Sequence, residues 1–218
     1  MTQTAHTFET ELVTPVRLPY LLHLPAGVEA RCDWPLIVFL HGSGERGDDL
    51  DLVRRQGLPK RLDEGFDLPA VVLSPQCPDG QVWAQQYPAV MALVDDVMAR
   101  VGIDADRVLL TGLSLGGAGV VHLAAMHPER FAAVAPICGP WTFYYVTPGM
   151  ARLPLWAFHG EDDPVVSVDD SRRLVAAVEA LGGDARLTTY PGVAHDAWTN
   201  AYATDELFDW LLSQRRGG

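Results

Sequence analysis

The chain has 218 residues, 48% hydrophobic and 20% charged, an ordinary globular composition with enough apolar material for one large core. Its formal net charge of −12 argues against nucleic acid, which is held by cationic contacts to phosphate, and against anionic membrane surfaces. No apolar run approaches the ~20 residues that a membrane helix needs, and residues 1–13 hold Glu9 and Glu11 with no basic start of a signal peptide.

In chain order, residues 11–16 and 18–24 read as two antiparallel strands joined near Pro15. Trp34–Leu40 is a continuous apolar run, the pattern of a strand covered on both faces. Further apolar runs follow at 70–73, 108–110, 131–137 and 155–158, and a more polar one at 186–190 is expected nearer an edge. Helical spacing falls between them. Val90, Val94, Val97 and Val101 form one stripe of a helix over 88–101. Small residues follow Ser114. Ser167 opens a helix carrying Leu174, Val175, Val178 and Leu181. Thr204 opens the last helix, with Leu207, Trp210 and Leu211 buried. Strands alternating with helices imply a mostly parallel, doubly wound sheet with helices on both faces, in a single domain over residues 1–218. Ligands in such sheets bind beyond the carboxyl ends of the strands.

The third of these parallel strands runs into Gly112-Leu113-Ser114-Leu115-Gly116. A serine on a sharp turn between strand and helix projects its hydroxyl above the sheet, and the helix N-terminus behind it favours developing negative charge. Ser114 is the candidate nucleophile. A serine hydroxyl needs a base, and the base needs an orienting acid. Of seven histidines (His6, His23, His41, His122, His127, His159 and His195), His195 lies in a loop between the last strand and the last helix, where a base is expected. For the acid, Glu161-Asp162-Asp163-Pro164 follows a strand, and Asp163 is preferred over Asp162 because the following proline biases it to an extended conformation. Two backbone donors are needed for the oxyanion. Leu115 N–H is one; the glycine-rich stretch His41-Gly42-Ser43-Gly44-Glu45-Arg46-Gly47 supplies the other, at Ser43 with Gly44 as the alternative, while His41, Glu45 and Arg46 tie that loop down.

These pieces, together with Ser74-Pro75-Gln76-Cys77-Pro78 and Gly192-Val193-Ala194-His195-Asp196, resemble the α/β-hydrolases of the phospholipase/carboxylesterase-like group, which includes small feruloyl-type esterases and predicted peptidases. The resemblance spans nearly the whole chain. It implies an α/β-hydrolase fold, a Ser114–Asp163–His195 triad, carboxylic-ester hydrolysis and no cofactor or metal. The serine separates the chain from the dienelactone-hydrolase-like neighbours, whose motif resembles this one with cysteine.

The interval 139–153, where many such enzymes insert a lid, is short, so a minimal lid or none is expected. Trp83, Trp141 and Trp198 are expected at the rim of an open cleft, as binding residues for a short-chain or aromatic acyl group. The expected partner is a small ester, with a second copy of the chain left open; the expected location is the cytoplasm. The alternatives are a peptidase or amidase with the same triad and a non-catalytic ligand-binding relative. Cys32, Cys77 and Cys138 read as reduced thiols, with a Cys77–Cys138 bridge as the alternative.

Overall fold

The computed structural model describes residues 3–11, 13 and 15–217. The apolar runs assemble into one sheet of seven strands: β1 (Tyr20–His23), β2 (Trp34–Leu40), β3 (Val71–Pro75), β4 (Ile103–Leu113), β5 (Ala133–Ile137), β6 (Leu155–Gly160) and β7 (Ala185–Tyr190), in the spatial order β1-β3-β2-β4-β5-β6-β7. Every neighbouring pair is parallel except β1 with β3.

The continuous hydrophobicity of β2 has a direct cause. Leu36, Val38 and Leu40 point into one core, and Ile37 and Phe39 into the other, as the two-residue strand period dictates. The first core is closed by α3 (Trp83–Arg100), α4 (Leu115–Met126) and α5 (Val168–Ala180); the second by α2 (Gly57–Asp63), α6 (Ala197–Ala203) and α7 (Asp205–Ser213). The short α1 (Leu50–Val53) lies on the chain leading to α2. No helix among the described residues is long and apolar enough to cross a membrane.

Three expectations are corrected. Residues 11–16 do not pair with the following strand: Glu11, Val13, Pro15 and Val16 are exposed and in no strand, Leu12 and Thr14 lie outside the described residues, and the antiparallel partner of β1 is β3. Helix α3 starts at Trp83 and carries Pro88 inside it. Its first turn is secured by the Gln85 side chain, whose Oε1 accepts from the Val82 N–H at 3.0 Å, so the proline does not mark the helix start. The last strand is followed by two helices, α6 and α7, where one was expected. Because β2, β4, β6 and β7 run parallel, the loops that leave their carboxyl ends share one edge of the sheet.

Candidate active site

Ser114 sits between β4 and α4 with φ 53° and ψ −117°. That is a strained conformation for a residue with a side chain, of the kind that persists only where surrounding structure enforces it. Here the Ser114 N–H donates to Ile137 O at 2.8 Å, and the turn is packed against the neighbouring strand so closely that a Cβ on Gly116 would stand 1.9 Å from Leu40 O. Glycine is required at this position for want of space.

The Ser114 hydroxyl lies 2.9 Å from His195 Nε2, and His195 Nδ1 lies 2.7 Å from Asp163 Oδ2. With Nδ1–H given to the carboxylate, Nε2 is left to accept from the hydroxyl. The Asp163 side chain is 0% exposed and that of His195 19%. Burial alone would push the Asp163 carboxyl up; hydrogen bonds from His195 and from the Val166 and Val165 N–H groups outweigh it and hold the acid below its ordinary range. Those two N–H groups reach Oδ1 at 2.9 and 2.8 Å. The Asp163 and His195 loops are stapled together: Glu161 N–H donates to Tyr190 O and Asp162 N–H to Val193 O, each at 3.0 Å. A Cβ on Gly160 would stand 2.1 Å from Ala194 O, so this close approach depends on glycine. Asp162 is exposed at the surface while Asp163 meets the imidazole.

The loop after β2 is held from several sides. His41 is fully buried; its Nδ1 donates to Gly42 O at 2.6 Å and its Nε2 accepts from the Cys77 N–H at 2.9 Å. Burial brings its pKa down to about 4, so the ring is neutral. Arg46 Nε donates to Ser43 O at 3.0 Å, and Gln76 Nε2 donates to Glu45 O at 2.9 Å. Ser43 begins a single turn of 3-10 helix, Ser43–Glu45, and Leu115 begins α4, so both N–H groups stand at positions without an acceptor inside their helix. The Gly42 backbone passes Ser114 so closely that a Cβ there would be 3.6 Å from Ser114 Cβ.

The phospholipase/carboxylesterase family model matches residues 69–204. The chain belongs to that family. It is 29% identical over 179 residues to NocK of Nocardia uniformis subsp. tsuyamanensis, which is named as an esterase; the match takes in 75% of this chain and 50% of NocK. Among solved structures, a thermostable esterase superposes with a TM-score of 0.80 at 35% identity, covering 93% of this chain and 60% of the other. Esterase PE8 superposes with a TM-score of 0.66 at 25% identity, covering 86% and 97%. The chain thus spans half the length of NocK and three fifths of that of the thermostable esterase. Its architecture is the α/β-hydrolase fold.

In this family member the lid interval holds two short 3-10 turns, Thr142–Tyr145 and Met150–Arg152, and no longer helix. Trp141 is 67% exposed, with its backbone N–H donated to Asp170 Oδ2 at 3.0 Å. The expected rim position of Trp83 is corrected. Trp83 is the first residue of α3 and is 1% exposed; its Nε1 donates to His41 O at 2.9 Å, so it forms floor rather than rim. Trp198 lies in α6, edge-on to the His195 ring at 5.3 Å, with Nε1 donated to Gln56 Oε1 at 3.1 Å. It packs against the His195 imidazole.

Two residues near the site were not singled out from the sequence. His159 is buried against Asp163, with Nε2 3.2 Å from Oδ2. His122 lines a cavity beside Leu115; its spacing from Leu115, two helical turns on the same face, was the available signal. Cys77 and Cys138 are both free and buried, and Cys32 is free and exposed; there is no bridge. A larger cavity of about 560 Å³ lies around Pro128, Arg152 and Arg215, away from all of these residues; Arg215 and Arg216 there are already paired, at 2.6 Å with Asp104 and 2.7 Å with Asp106.

Proposed function

We propose that the chain is a serine carboxylesterase acting on short-chain or aromatic acyl esters through an acyl-enzyme. The observation that carries this reading is the continuous chain of hydrogen bonds from Ser114 through His195 to Asp163, at 2.9 and 2.7 Å, at the strained turn behind which α4 begins.

Ser114 Oγ attacks the ester carbonyl carbon as His195 Nε2 takes its proton. Asp163 fixes the imidazole's tautomer and offsets the positive charge that forms on it. The Ser43 and Leu115 N–H groups meet the oxyanion as it develops, and α4's N-terminus adds its favourable field. The tetrahedral intermediate collapses; the carbon–oxygen bond to the alcohol breaks, and the His195 proton goes to the departing oxygen. A water then repeats the sequence against the acyl-enzyme and releases the acid.

The test is hydrolysis of p-nitrophenyl acetate by the wild type, Ser114→Ala and His195→Ala. Each substitution is expected to lower kcat by at least ~10³, as removal of members of such a unit does. Activity of Ser114→Ala within about tenfold of the wild type would overturn the reading.

A further inference from the structure

Beside the nucleophile runs a trough of about 160 Å³ walled by Trp83, Leu115, Ala118, His122, Trp141 and Tyr145. Leu115, Ala118 and His122 recur at intervals of three and four residues, so one face of α4 forms its length. At 1.5 Å per residue, that face extends ~10 Å from the turn that carries Ser114. Trp83, held by its bond to His41 O, is fixed in the wall. At the far end the His122 and Tyr145 rings meet edge to face, with centroids 5.1 Å apart. The His122 Nδ1 there is enclosed and has no hydrogen-bond partner among the described residues.

The trough lies on a definite side of the site. None of its lining residues comes from the Asp163 loop or the His195 loop. The departing alcohol takes its proton from His195 and so must lie on the histidine side of the carbonyl. What remains on the opposite side is the acyl group. An apolar cavity of ~150 Å³ holds a single benzene ring, and this one is of that size.

Building on the esterase reading, we propose that the trough is the acyl subsite, that it admits acyl groups up to about one aromatic ring or an equivalent short chain, and that His122 and Tyr145 are its end wall. A long unbranched acyl chain runs into that wall. Ala118, midway along, sets the bore.

The experiment compares kcat/KM for p-nitrophenyl acetate, butyrate, benzoate and decanoate in the wild type, Ala118→Leu and His122→Ala, with fluorophosphonate labelling of each variant to show that its nucleophile is competent. In the wild type, butyrate and benzoate are expected to exceed decanoate by roughly tenfold or more, the scale on which an apolar pocket discriminates a few methylenes. Ala118→Leu should lower the benzoate-to-acetate ratio by about tenfold, and His122→Ala should raise the decanoate-to-butyrate ratio by about fivefold. A wild-type series flat to within about threefold, or variants that change all four esters in the same proportion, overturns the subsite while Ser114-dependent hydrolysis of acetate leaves the esterase reading standing. Absence of Ser114-dependent hydrolysis of any of the four overturns both.

Discussion

His159 and His195 address the same oxygen of Asp163, at 3.2 and 2.7 Å. The His159 Nε2 also faces Val166 O at 3.0 Å, and its Nδ1 lies 2.7 Å from Ser171 Oγ. A carbonyl can only accept, so Nε2 carries the hydrogen and Nδ1 accepts from the serine hydroxyl. Burial lowers the His159 pKa, and the ring is a neutral donor. The carboxylate therefore has donors on both oxygens and one preferred orientation toward the base.

His159 is accordingly a positioning residue: its Nε2–H, bonded to Val166 O, lies 3.2 Å from Asp163 Oδ2 and draws on that oxygen's charge. In His159→Phe, kcat should fall by roughly tenfold with KM little changed, within the range known for neighbours that orient a working group. The acid limb of the kcat/KM–pH profile should move to higher pH, because the carboxylate then spends its whole charge on His195. His159→Gln, which restores a donor, should move the limb part of the way back. A rate loss with an unmoved limb would mean that His159 only supports the fold.

The proposed oxyanion donor on the β2 loop is testable by removing a backbone N–H. Gly42 is extended, with φ −79° and ψ −173°, a conformation compatible with a following proline, and Ser43 is the first residue of its helical turn, where proline is tolerated. Ser43→Pro should fold, retain fluorophosphonate-reactive protein, and lose ~10²–10³ in kcat. Wild-type kcat in the folded variant would move the donor to Gly44.

Stability should depend on pH through His41. Its folded pKa of about 4 lies below the ordinary 6.5, so between those values the unfolded chain binds the extra proton and stability rises with pH. On acidification the protein should lose stability from about pH 6.5 down to about pH 4, by up to roughly 3 kcal/mol from this residue. The lowered values of His23, His122 and His159 act in the same direction. Asp163, held below its ordinary value, contributes stability above the unfolded carboxylate pKa of ~3.9 and loses it as pH falls further. Urea unfolding from pH 4 to 7 measures the slope, and His41→Gln should flatten it. An unchanged slope in that variant would remove His41 as the source.

The thiols should divide one against two. Cys32 is exposed, and Cys77 and Cys138 are buried. Burial pushes Cys77 up to about 11 and raises Cys138 as well, which starves both of thiolate. In native protein, Ellman's reagent should titrate one thiol quickly and the other two only on unfolding. Two fast equivalents would contradict this burial.

Much of the fold was legible because the parallel strands are covered on both faces and so read as unbroken apolar runs. Ser114, Asp163 and His195 were legible for a related reason: each follows such a run, and parallel strands deliver their carboxyl-end loops to one edge. The missed features lack that one-dimensional signal. Residues 11–16 read as strand-like, yet the described ones among them are in no strand, and pairing is a property of two segments. Pro88 looked like a helix start because the bond that secures the real one, from Gln85, has no apolar period. Trp83 sits near a loop in the sequence, yet its indole N–H is taken by His41 O, a partner far away along the chain. His159 and Asp163 are four residues apart on a non-helical turn, and only the turn's shape brings them together.

The central claim is that Ser114 is a nucleophile activated by His195. The most direct measurement is reaction of the folded protein with a fluorophosphonate, followed by mass spectrometry of its peptides. The account predicts one adduct, on Ser114, that is strongly reduced in His195→Ala although that variant remains folded. An adduct on another serine, or equal labelling of Ser114 with and without the His195 imidazole, would contradict it.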